Sequence, residues 1–325
     1  MRALGGMQWD EKQSPGVGAH ATIRTRCGHG IKRRTQIPLE VRGQGMTEQG
    51  PVLDNARRLA ERFSMVGRRA LVTGGSLSIG REIVVAFAEA GASIAIHYAG
   101  EADRAFGHAT AAPDAVAAVE ALGCKAVQIE ADFARTGEAR RCVQDARAAL
   151  GGLDVLVVCA SIQYRTAFED VTSEQIERQL QINFRATLEL LQAALPDMRR
   201  RGFGRILTIG SVNQTAPEGV LSIYAALKSA QHNLVINLAR EYAAYGITIN
   251  NLSPGLIATE RNKYRRQDTA AWARIEAGCC PMQRAGRPSE MAGAALLLCS
   301  EAGSYITGAD LQATGGRHLA WQAPT

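Results

Sequence analysis

Short apolar runs alternate with amphipathic stretches along most of the chain from Arg69 onward. The runs have almost no polar alternation, which is typical of strands buried on both faces of a parallel sheet. Seven runs of this kind occur: RALVTG, ASIAIHY, KAVQIEAD, LDVLVVCA, GRILTIGS, ITINNLSP and ADLQATGG. The stretches between them have helical spacing. Strand and helix in alternation predict right-handed crossovers and an α/β fold with helices on both faces of the sheet.

This pattern divides the 325 residues into three parts. Residues 1–50 have no hydrophobic period and are rich in Gly, Arg and Thr, so we predict a disordered basic N-terminal extension. Residues 51–65 have helical spacing and predict a helix at the edge of the domain. Residues 66–321 are predicted to form one Rossmann-fold domain, a doubly wound parallel sheet of seven strands.

The basic composition belongs mainly to the first part of the chain. Residues 1–45 carry eight basic and three acidic side chains, a net charge of +5, against +6 for the whole chain. We therefore expect no nucleic-acid partner. The sequence contains no apolar run of membrane-spanning length and no apolar core of a secretory signal near its start. Seven cysteines without a C-x-x-C pair indicate reduced thiols and no metal site, so we expect a cytoplasmic protein without a membrane partner.

A glycine-rich turn, LVTGGSLSIGRE, follows the first apolar run and opens the first amphipathic helix. A dinucleotide-binding turn requires this strand–turn–helix context. Gly74 can adopt a conformation that a Cβ would forbid, and Gly80 lets the helix approach the strand. The free N–H groups and the positive dipole end of the helix favour a pyrophosphate. Ser78 stands where such a turn usually has glycine, and we expect its side chain to cap the helix and to donate to a phosphate.

A second signal lies downstream, where GRILTIGS ends at Ser211 and a helix containing YAALK follows. Tyr224 and Lys228 are four residues apart, so their side chains point along one face of that helix. A nearby ammonium stabilises a phenolate, which suits Tyr224 as proton donor or acceptor for an alcohol/ketone pair. Ser211 comes at the carboxyl end of a strand, where open α/β sheets bind ligands. We expect Ser211 to hold the substrate oxygen.

Together these segments resemble the short-chain dehydrogenase/reductase family from Arg69 to Gly316. Thr73, Gly74 and Gly80 match the T-G-x-x-x-G-x-G turn of that family. The stretch LQINFRATL matches the segment that carries its catalytic asparagine, and NNLSPGLIAT matches N-x-x-x-P-G-x-I-x-T.

The resemblance implies an enzyme with four catalytic residues. Tyr224 would act as the acid/base, and Lys228 would hold the cofactor ribose and assist Tyr224. Ser211 would orient the substrate carbonyl, and Asn183 would hold a relay water.

A nicotinamide dinucleotide is the implied cofactor. Pro254, Gly255 and Ile257 would line the nicotinamide, Thr259 would contact its carboxamide or the pyrophosphate, and Asp132 would meet the adenine ring. The predicted cofactor contacts are Thr73, Gly74, Ser76, Ser78, Ile79, Gly80, His97, Tyr98, Asp132, Ala160, Tyr224, Lys228, Pro254, Gly255, Ile257 and Thr259.

The end of the second strand bears on the choice between NADP(H) and NAD(H). NAD-preferring relatives usually have an acidic residue there, which binds the ribose hydroxyls. In ASIAIHYAGEAD that position is Tyr98, so NADP(H) is favoured, with His97 or Arg104 meeting the 2′-phosphate. NAD(H) is the alternative if Glu101 or Asp103 reaches the ribose.

Three segments depart from the family pattern, all on the cofactor side. Ser78 replaces a glycine, residues 158–161 read VCAS where the family has NNAG, and residues 313–316 read ATGG where it usually has VDGG. A non-catalytic dinucleotide-binding sensor or scaffold therefore stays an alternative. The four intact catalytic positions favour an active enzyme.

The substrate lid of the family corresponds to residues 259–287, a stretch rich in Arg and amide side chains. Guanidinium groups suit a carboxylate or polyol, whereas an acyl-chain pocket needs more apolar lining. IQYR after the fourth strand, the RN…W run in the lid and GGRHLAW near the end resemble gluconate 5-dehydrogenases and related sugar-acid reductases. We expect a sugar, sugar acid or polyol, contacted by Gln163, Arg165 and Arg261. A 3-oxoacyl thioester of acyl-carrier protein, or another ketone, is the alternative.

Assembly follows only from the resemblance. It implies a homotetramer or homodimer that binds a small-molecule substrate and is paired through the long helices at 178–202 and 222–245.

Overall fold

The computed structural model describes residues 51–320. The extension predicted at 1–50 lies outside the described residues. Helix α1 spans Pro51–Phe63, and its residues from Arg57 to Arg62 are exposed. One compact unit begins at Arg57 and contains the whole sheet.

Seven parallel strands form one sheet in the order β3-β2-β1-β4-β5-β6-β7. This arrangement confirms the predicted doubly wound α/β fold. Each apolar run of the sequence contributes one strand: β1 Arg69–Val72, β2 Ser93–Tyr98, β3 Ala126–Glu130, β4 Val155–Val158, β5 Gly204–Ile209, β6 Ile247–Pro254 and β7 Asp310–Ala313.

Helices connect the strands and cover both faces of the sheet. They are α2 Ser78–Glu89, α3 Gly100–Ala105, α4 Ala111–Ala121, α5 Glu138–Leu150, α6 Ser173–Gln179, α7 Ala186–Arg201, α8 Ser222–Tyr242, α9 Lys263–Arg266, α10 Thr269–Cys279 and α11 Ala292–Cys299. The sequence pattern did not predict α3, because its six residues are too few to show a helical period. No helix in the described part of the chain is long and apolar enough to span a membrane.

The core lies in two layers, one on each side of the sheet. Consecutive strand residues point to opposite faces, so Leu71 joins the layer under α5, α7 and α8, whereas Val72 joins the layer under α2, α4 and α11. Burying each such aliphatic side chain contributes about 1.5–3 kcal/mol. Because both faces are covered, the central strands β1 and β4 are mainly apolar, whereas β6 also buries Asn250, Asn251 and Ser253.

The strand order reverses between β1 and β4. These two strands pair in parallel, with Ala70 opposite Val155. Beyond β1 the sheet continues through β2 to β3, and beyond β4 it continues through β5 and β6 to β7. In doubly wound sheets the crevice at such a switch point, beyond the carboxyl ends of the strands, is where ligands bind. The glycine-rich turn and the loops after β4 and β5 meet at this edge.

Candidate active site

The turn between β1 and α2 has the close backbone packing that its glycines predict. Gly74 has a φ of +63°, in the left-handed region that favours glycine. A Cβ on Gly80 would lie 2.0 Å from the carbonyl oxygen of Gly74, so no larger residue fits there without a shift of the loop. The first N–H groups of α2 therefore lie close to the end of β1. This cradle fits a pyrophosphate.

Thr73 links the turn to the loop after β4. Its hydroxyl donates to the carbonyl of Val157 (3.2 Å) and accepts from the backbone N–H groups of Cys159 (2.9 Å) and Ala160 (3.1 Å). Thr73 and Ala160, both predicted to contact the cofactor, thus lie side by side at the switch point. Thr73 contacts only backbone groups of this loop. The side chain of Cys159, which replaces an asparagine of the family, therefore does not disturb these hydrogen bonds.

His97 lies beneath the turn and holds it in place. Its Nδ1 accepts from the N–H of Gly74 (3.0 Å), so its Nε2 must donate to the carbonyl of Ala131 (3.0 Å). Its ring stacks on Phe133 with centroids 4.0 Å apart. Burial lowers the pKa of His97 to about 4, so the ring is neutral. Of the two residues expected to meet a 2′-phosphate, His97 already uses both ring nitrogens to hold the turn to the loop after β3, which leaves Arg104 as the candidate.

Ser78 differs from its predicted role. Leu77 occupies the cap position of α2 and makes no side-chain cap bond, whereas Ser78 is the first helical residue and has a φ of +50°. Its hydroxyl accepts from the backbone N–H of Glu260 (3.1 Å). The expected helix cap is therefore wrong, and Ser78 instead connects the turn to the first residues of the lid.

A second contact holds the lid from the other side. The guanidinium of Arg261 donates to the carbonyl (2.6 Å) and the hydroxyl (3.1 Å) of Ser161, the residue that stands in place of the family glycine after β4. Arg261, predicted to contact substrate, is thus engaged with the protein. Two of the departures from the family pattern, at Ser78 and Ser161, bind consecutive lid residues.

At the end of β2 the structure brings together polar groups around the predicted ribose position. The hydroxyl of Tyr98 lies 3.5 Å from Glu130 Oε2 at the end of β3. Ser76 faces the Asp103 carboxyl group, whose pKa is raised by burial. Arg104 is exposed next to this group. Asp103 therefore turns inward to the glycine-rich turn, and Arg104 remains open to a ligand.

Two further predicted cofactor residues flank this region. Asp132, just after β3, accepts from the backbone N–H of Ala134 (2.9 Å) and keeps 42% of its side chain exposed. Ile79 packs against the core layer under α2. Asp132 thus keeps its carboxylate partly open to solvent, and Ile79 anchors the start of the helix.

Tyr224 and Lys228 lie together on α8, both almost fully buried. Lys228 Nζ lies 5.8 Å from the centre of the Tyr224 ring, and it donates to the carbonyl of Ile209 (2.6 Å) and to Gln231 Oε1 (3.0 Å). An ammonium has three N–H donors, so within residues 51–320 one is left for a ligand. Burial lowers the pKa of Lys228 to about 7.

Ser211 follows β5 two residues after the carbonyl that Lys228 binds. Its Oγ accepts from the backbone N–H (3.2 Å) and the side-chain Nδ2 (3.3 Å) of Asn213. These contacts use the hydroxyl as acceptor, so its proton is available to a ligand oxygen. Sequence reasoning missed Asn213, because nothing in the local pattern marks it.

Asn183 lies in a π-helical turn, residues Leu180–Arg185, between α6 and α7. Its side-chain amide accepts from the N–H and donates to the carbonyl of Ile162, both at 2.8 Å. Turns of this kind are frequent at functional sites. The side chain therefore holds the loop after β4, and the backbone carbonyl of Asn183 accepts from the Thr187 hydroxyl (3.0 Å).

The residues after β6 approach Thr314, the first residue after β7, closely. A Cβ on Gly255 would lie 2.8 Å from Thr314 Cα, so the departure at Thr314 is accommodated beside a glycine. Ile257 is buried, and the carbonyl of Thr259 accepts from Arg266 (3.0 Å). Pro254 ends β6 opposite Ala313. This segment forms the side of the crevice facing the turn.

A cavity of about 440 Å³ adjoins this site. It is lined by Ala216, Pro217, Glu218, Leu256, Arg265, Ile275, Gly278, Cys279 and Arg317. Arg165, predicted to contact substrate, forms an ion pair with Glu218 (2.8 Å), and Arg317 forms a second (2.8 Å). Gln163 is half-buried in the same loop as Arg165. Arg165 was predicted as a substrate contact and Glu218 was not, and Arg317 entered the sequence analysis only as part of the GGRHLAW segment.

Residues 51–320 contain no cluster of three or more His, Cys, Asp or Glu side chains that could hold a metal ion. The side chains gathered at the site carry hydroxyl, ammonium and guanidinium groups.

Comparison with known proteins agrees with this geometry. A family model described as enoyl-(acyl carrier protein) reductase matches residues 74–318. L-rhamnose 1-dehydrogenase (NAD(P)(+)) of Sphingomonas sp. (strain SKA58) is 33% identical over 255 residues, which cover 78% of this chain and 97% of that protein.

Solved structures show the same fold. A 3-oxoacyl (acyl-carrier-protein) reductase from Agrobacterium tumefaciens C58, with NADP bound, is 38% identical with a TM-score of 0.75, over 80% of this chain and 98% of that one. A protein from Beutenbergia cavernae assigned as an NAD(P)-dependent gluconate 5-dehydrogenase, also with NADP, is 31% identical with a TM-score of 0.73, over 80% and 100%. The chain therefore belongs to the short-chain dehydrogenase/reductase family, as an NAD(P)-dependent oxidoreductase that acts on CH–OH groups.

Proposed function

We propose that the protein is an NADP(H)-dependent oxidoreductase that interconverts a ketone and a secondary alcohol of a sugar, a sugar acid or a polyol. The observation that carries the proposal is the pair of Tyr224 and Lys228 on one face of α8. The buried ammonium lies 5.8 Å from the tyrosine ring and is bound to the end of the strand that precedes Ser211.

Each of the four predicted catalytic residues has a role in this reaction. The bound dinucleotide supplies or accepts the hydride. Tyr224 donates its proton to the substrate oxygen during reduction, and the charge of Lys228 stabilises the resulting phenolate. Ser211, whose hydroxyl proton is free, donates to the same oxygen and orients the carbonyl. Asn183 keeps the loop after β4 in place through Ile162.

The crevice supports NADP(H) over NAD(H). Tyr98 leaves no carboxylate at the end of β2, and the exposed Arg104 is the cation that would bind a 2′-phosphate. Asp103, the alternative ligand for a ribose, turns toward Ser76. Arg104→Gln is expected to raise the KM for NADPH about tenfold and to leave the KM for NADH unchanged. Equal effects on both cofactors would remove Arg104 from this role.

The cavity supports a polar substrate. Two guanidinium groups and a carboxylate lie in its lining, and such groups suit hydroxyl and carboxylate oxygens better than an acyl chain. The competing candidate is reduction of a 3-oxoacyl thioester, because one of the similar solved structures is a 3-oxoacyl (acyl-carrier-protein) reductase.

The test is NADPH oxidation by the full chain against 5-ketogluconate, other keto-sugars and an acetoacetyl thioester. We expect the sugar-derived ketones to be reduced with the higher kcat/KM. Preference for the thioester would replace the proposed substrate class and keep the reaction type.

We also propose a homotetramer or homodimer that pairs through α7 and α8. Ile236 on α8 is 45% exposed in the single chain. An apolar side chain that packs against another subunit would be exposed in this way when that subunit is absent. Sedimentation of the native protein and of Ile236→Asp tests this. A native mass of one chain would contradict it.

A further inference from the structure

The cavity beside Ser211 is built from three separate parts of the chain. Glu218 comes from the connection between β5 and α8, Arg265 comes from the lid, and Arg317 follows β7. Its volume of about 440 Å³ lies in the range of small-molecule sites. The cavity is therefore large enough for the part of a substrate that extends beyond the reacting carbon.

The charges in this cavity do not cancel. Each oxygen of the Glu218 carboxylate accepts from one arginine, Oε1 from Arg317 and Oε2 from Arg165, both at 2.8 Å. Burial opposes the ionised form of Glu218, but the hydrogen bonds from the two arginines outweigh it and lower its pKa. One carboxylate is thus shared by two guanidinium groups.

Arg265 adds a further positive charge. Within residues 51–320 it forms no ion pair, and its guanidinium lies 5.9 Å from the centre of the Trp272 ring. A guanidinium has five N–H donors, and Arg317 uses one of them on Glu218. The cavity therefore presents unused donors and excess positive charge, a combination that favours a bound anion.

A short chain of hydrogen bonds connects these arginines to the reacting centre. The backbone N–H of Glu218 donates to Asn213 Oδ1 (3.1 Å), and Asn213 Nδ2 donates to Ser211 Oγ (3.3 Å). Only the side chain of Asn213 thus lies between Ser211 and Glu218, the residue that binds Arg317. A substrate whose carbonyl is held by Ser211 would place a group several bonds away next to Arg317.

We propose that Arg317 and Arg265 form a subsite for a carboxylate group of the substrate, and that Glu218 positions Arg317 in it. The inference rests on the proposed function and narrows it to the sugar acids. The neutral polyols and keto-sugars lack the group that this subsite binds.

Binding of gluconate and glucitol to the protein with saturating NADP⁺ tests the subsite without turnover. The two compounds differ only in a carboxylate against a CH₂OH group. Calorimetry is expected to give gluconate a Kd about 10- to 100-fold lower, the ratio that one or two charge-assisted hydrogen bonds provide. Arg317→Gln and Arg265→Gln are each expected to reduce this ratio at least fivefold, an order-of-magnitude expectation from the same bonds.

Arg274→Gln is the matched control, because Arg274 is exposed on α10 outside the cavity lining. The Arg274→Gln variant is expected to keep the native ratio of the Kd for glucitol to the Kd for gluconate. Glu218→Gln removes the charge that orients Arg317, and glucitol binding is expected to stay unchanged, which a loss of folding would not produce. Equal affinity of the native protein for gluconate and glucitol would overturn the subsite, as would variants at Arg317 and Arg265 that both keep the native ratio.

Reduction of 5-ketogluconate and L-sorbose, which differ by the same carboxylate, separates this inference from the proposed function. If gluconate binds selectively and neither ketone is reduced, the subsite stands and the proposed reaction fails. If L-sorbose is reduced as well as 5-ketogluconate and gluconate shows no selective binding, the reaction stands and the subsite fails.

Discussion

Replacing Lys228 with methionine is expected to change how the stability of the protein depends on pH. Burial lowers the pKa of this lysine from 10.5 to about 7 in the folded protein. Between these two values the unfolded chain binds the proton more tightly than the folded protein does. Stability therefore rises with pH across this window and falls as the pH drops toward 7. The Lys228→Met variant has no such proton to bind.

The size of the effect follows from the two pKa values. One pKa unit corresponds to about 1.4 kcal/mol. Integrating this proton linkage from pH 7 to pH 9 predicts that the unfolding free energy of the native protein rises by about 2 kcal/mol more than that of Lys228→Met. Urea unfolding of both proteins without cofactor at the two pH values measures this difference.

Lys263→Met provides the control, because the Lys263 side chain is 58% exposed. It is expected to give no pH-dependent difference from the native protein. If the native protein and Lys228→Met differ by the same free energy at pH 7 and pH 9, burial does not lower the pKa of Lys228, and this description of its environment is wrong.

Three further substitutions test the turn between β1 and α2. Gly80→Ala is expected to lower the unfolding free energy by about 1–3 kcal/mol and to weaken NADPH binding more than tenfold, because its Cβ meets Gly74. A native Kd for NADPH in a fluorescence titration would contradict this. Ser78→Ala and Ser78→Gly both lose the bond to Glu260, but only alanine keeps a Cβ at the positive φ, so Ser78→Ala is expected to be about 1 kcal/mol less stable than Ser78→Gly in urea. His97→Phe keeps the stacking but leaves the Gly74 N–H unpaired, so it is expected to cost about 1–3 kcal/mol; an unchanged melting temperature would refute the supporting role.

Much of the fold and the core of the site depends on local sequence. The buried strands appear as apolar runs because both faces of the sheet are covered, and Tyr224 and Lys228 share a helix face through their spacing alone. The glycines of the turn are required by backbone geometry within seven residues, between Gly74 and Gly80. Such features can be predicted without knowledge of the tertiary structure.

The remaining features depend on contacts between distant residues. Ser78 accepts from a residue 182 positions away, and the bond from Arg317 to Glu218 spans 99 positions. His97 has no local feature that marks it as neutral, because its partner Ala131 lies on another strand's loop. No periodicity or spacing in one sequence encodes these pairings, so the helix cap expected at Ser78 was wrong, and the contacts of His97 and the position of Glu218 were missed.

The measurement that tests the central claim most directly is reduction of a ketone with NADPH by the native chain and by Tyr224→Phe, with cofactor affinity determined for both. The account predicts that the variant loses about 10²- to 10⁴-fold in kcat, the usual contribution of acid/base catalysis, while its Kd for NADPH changes less than about threefold. A variant that keeps native turnover, with the cofactor bound, would contradict the assignment of Tyr224 as the acid/base of this oxidoreductase.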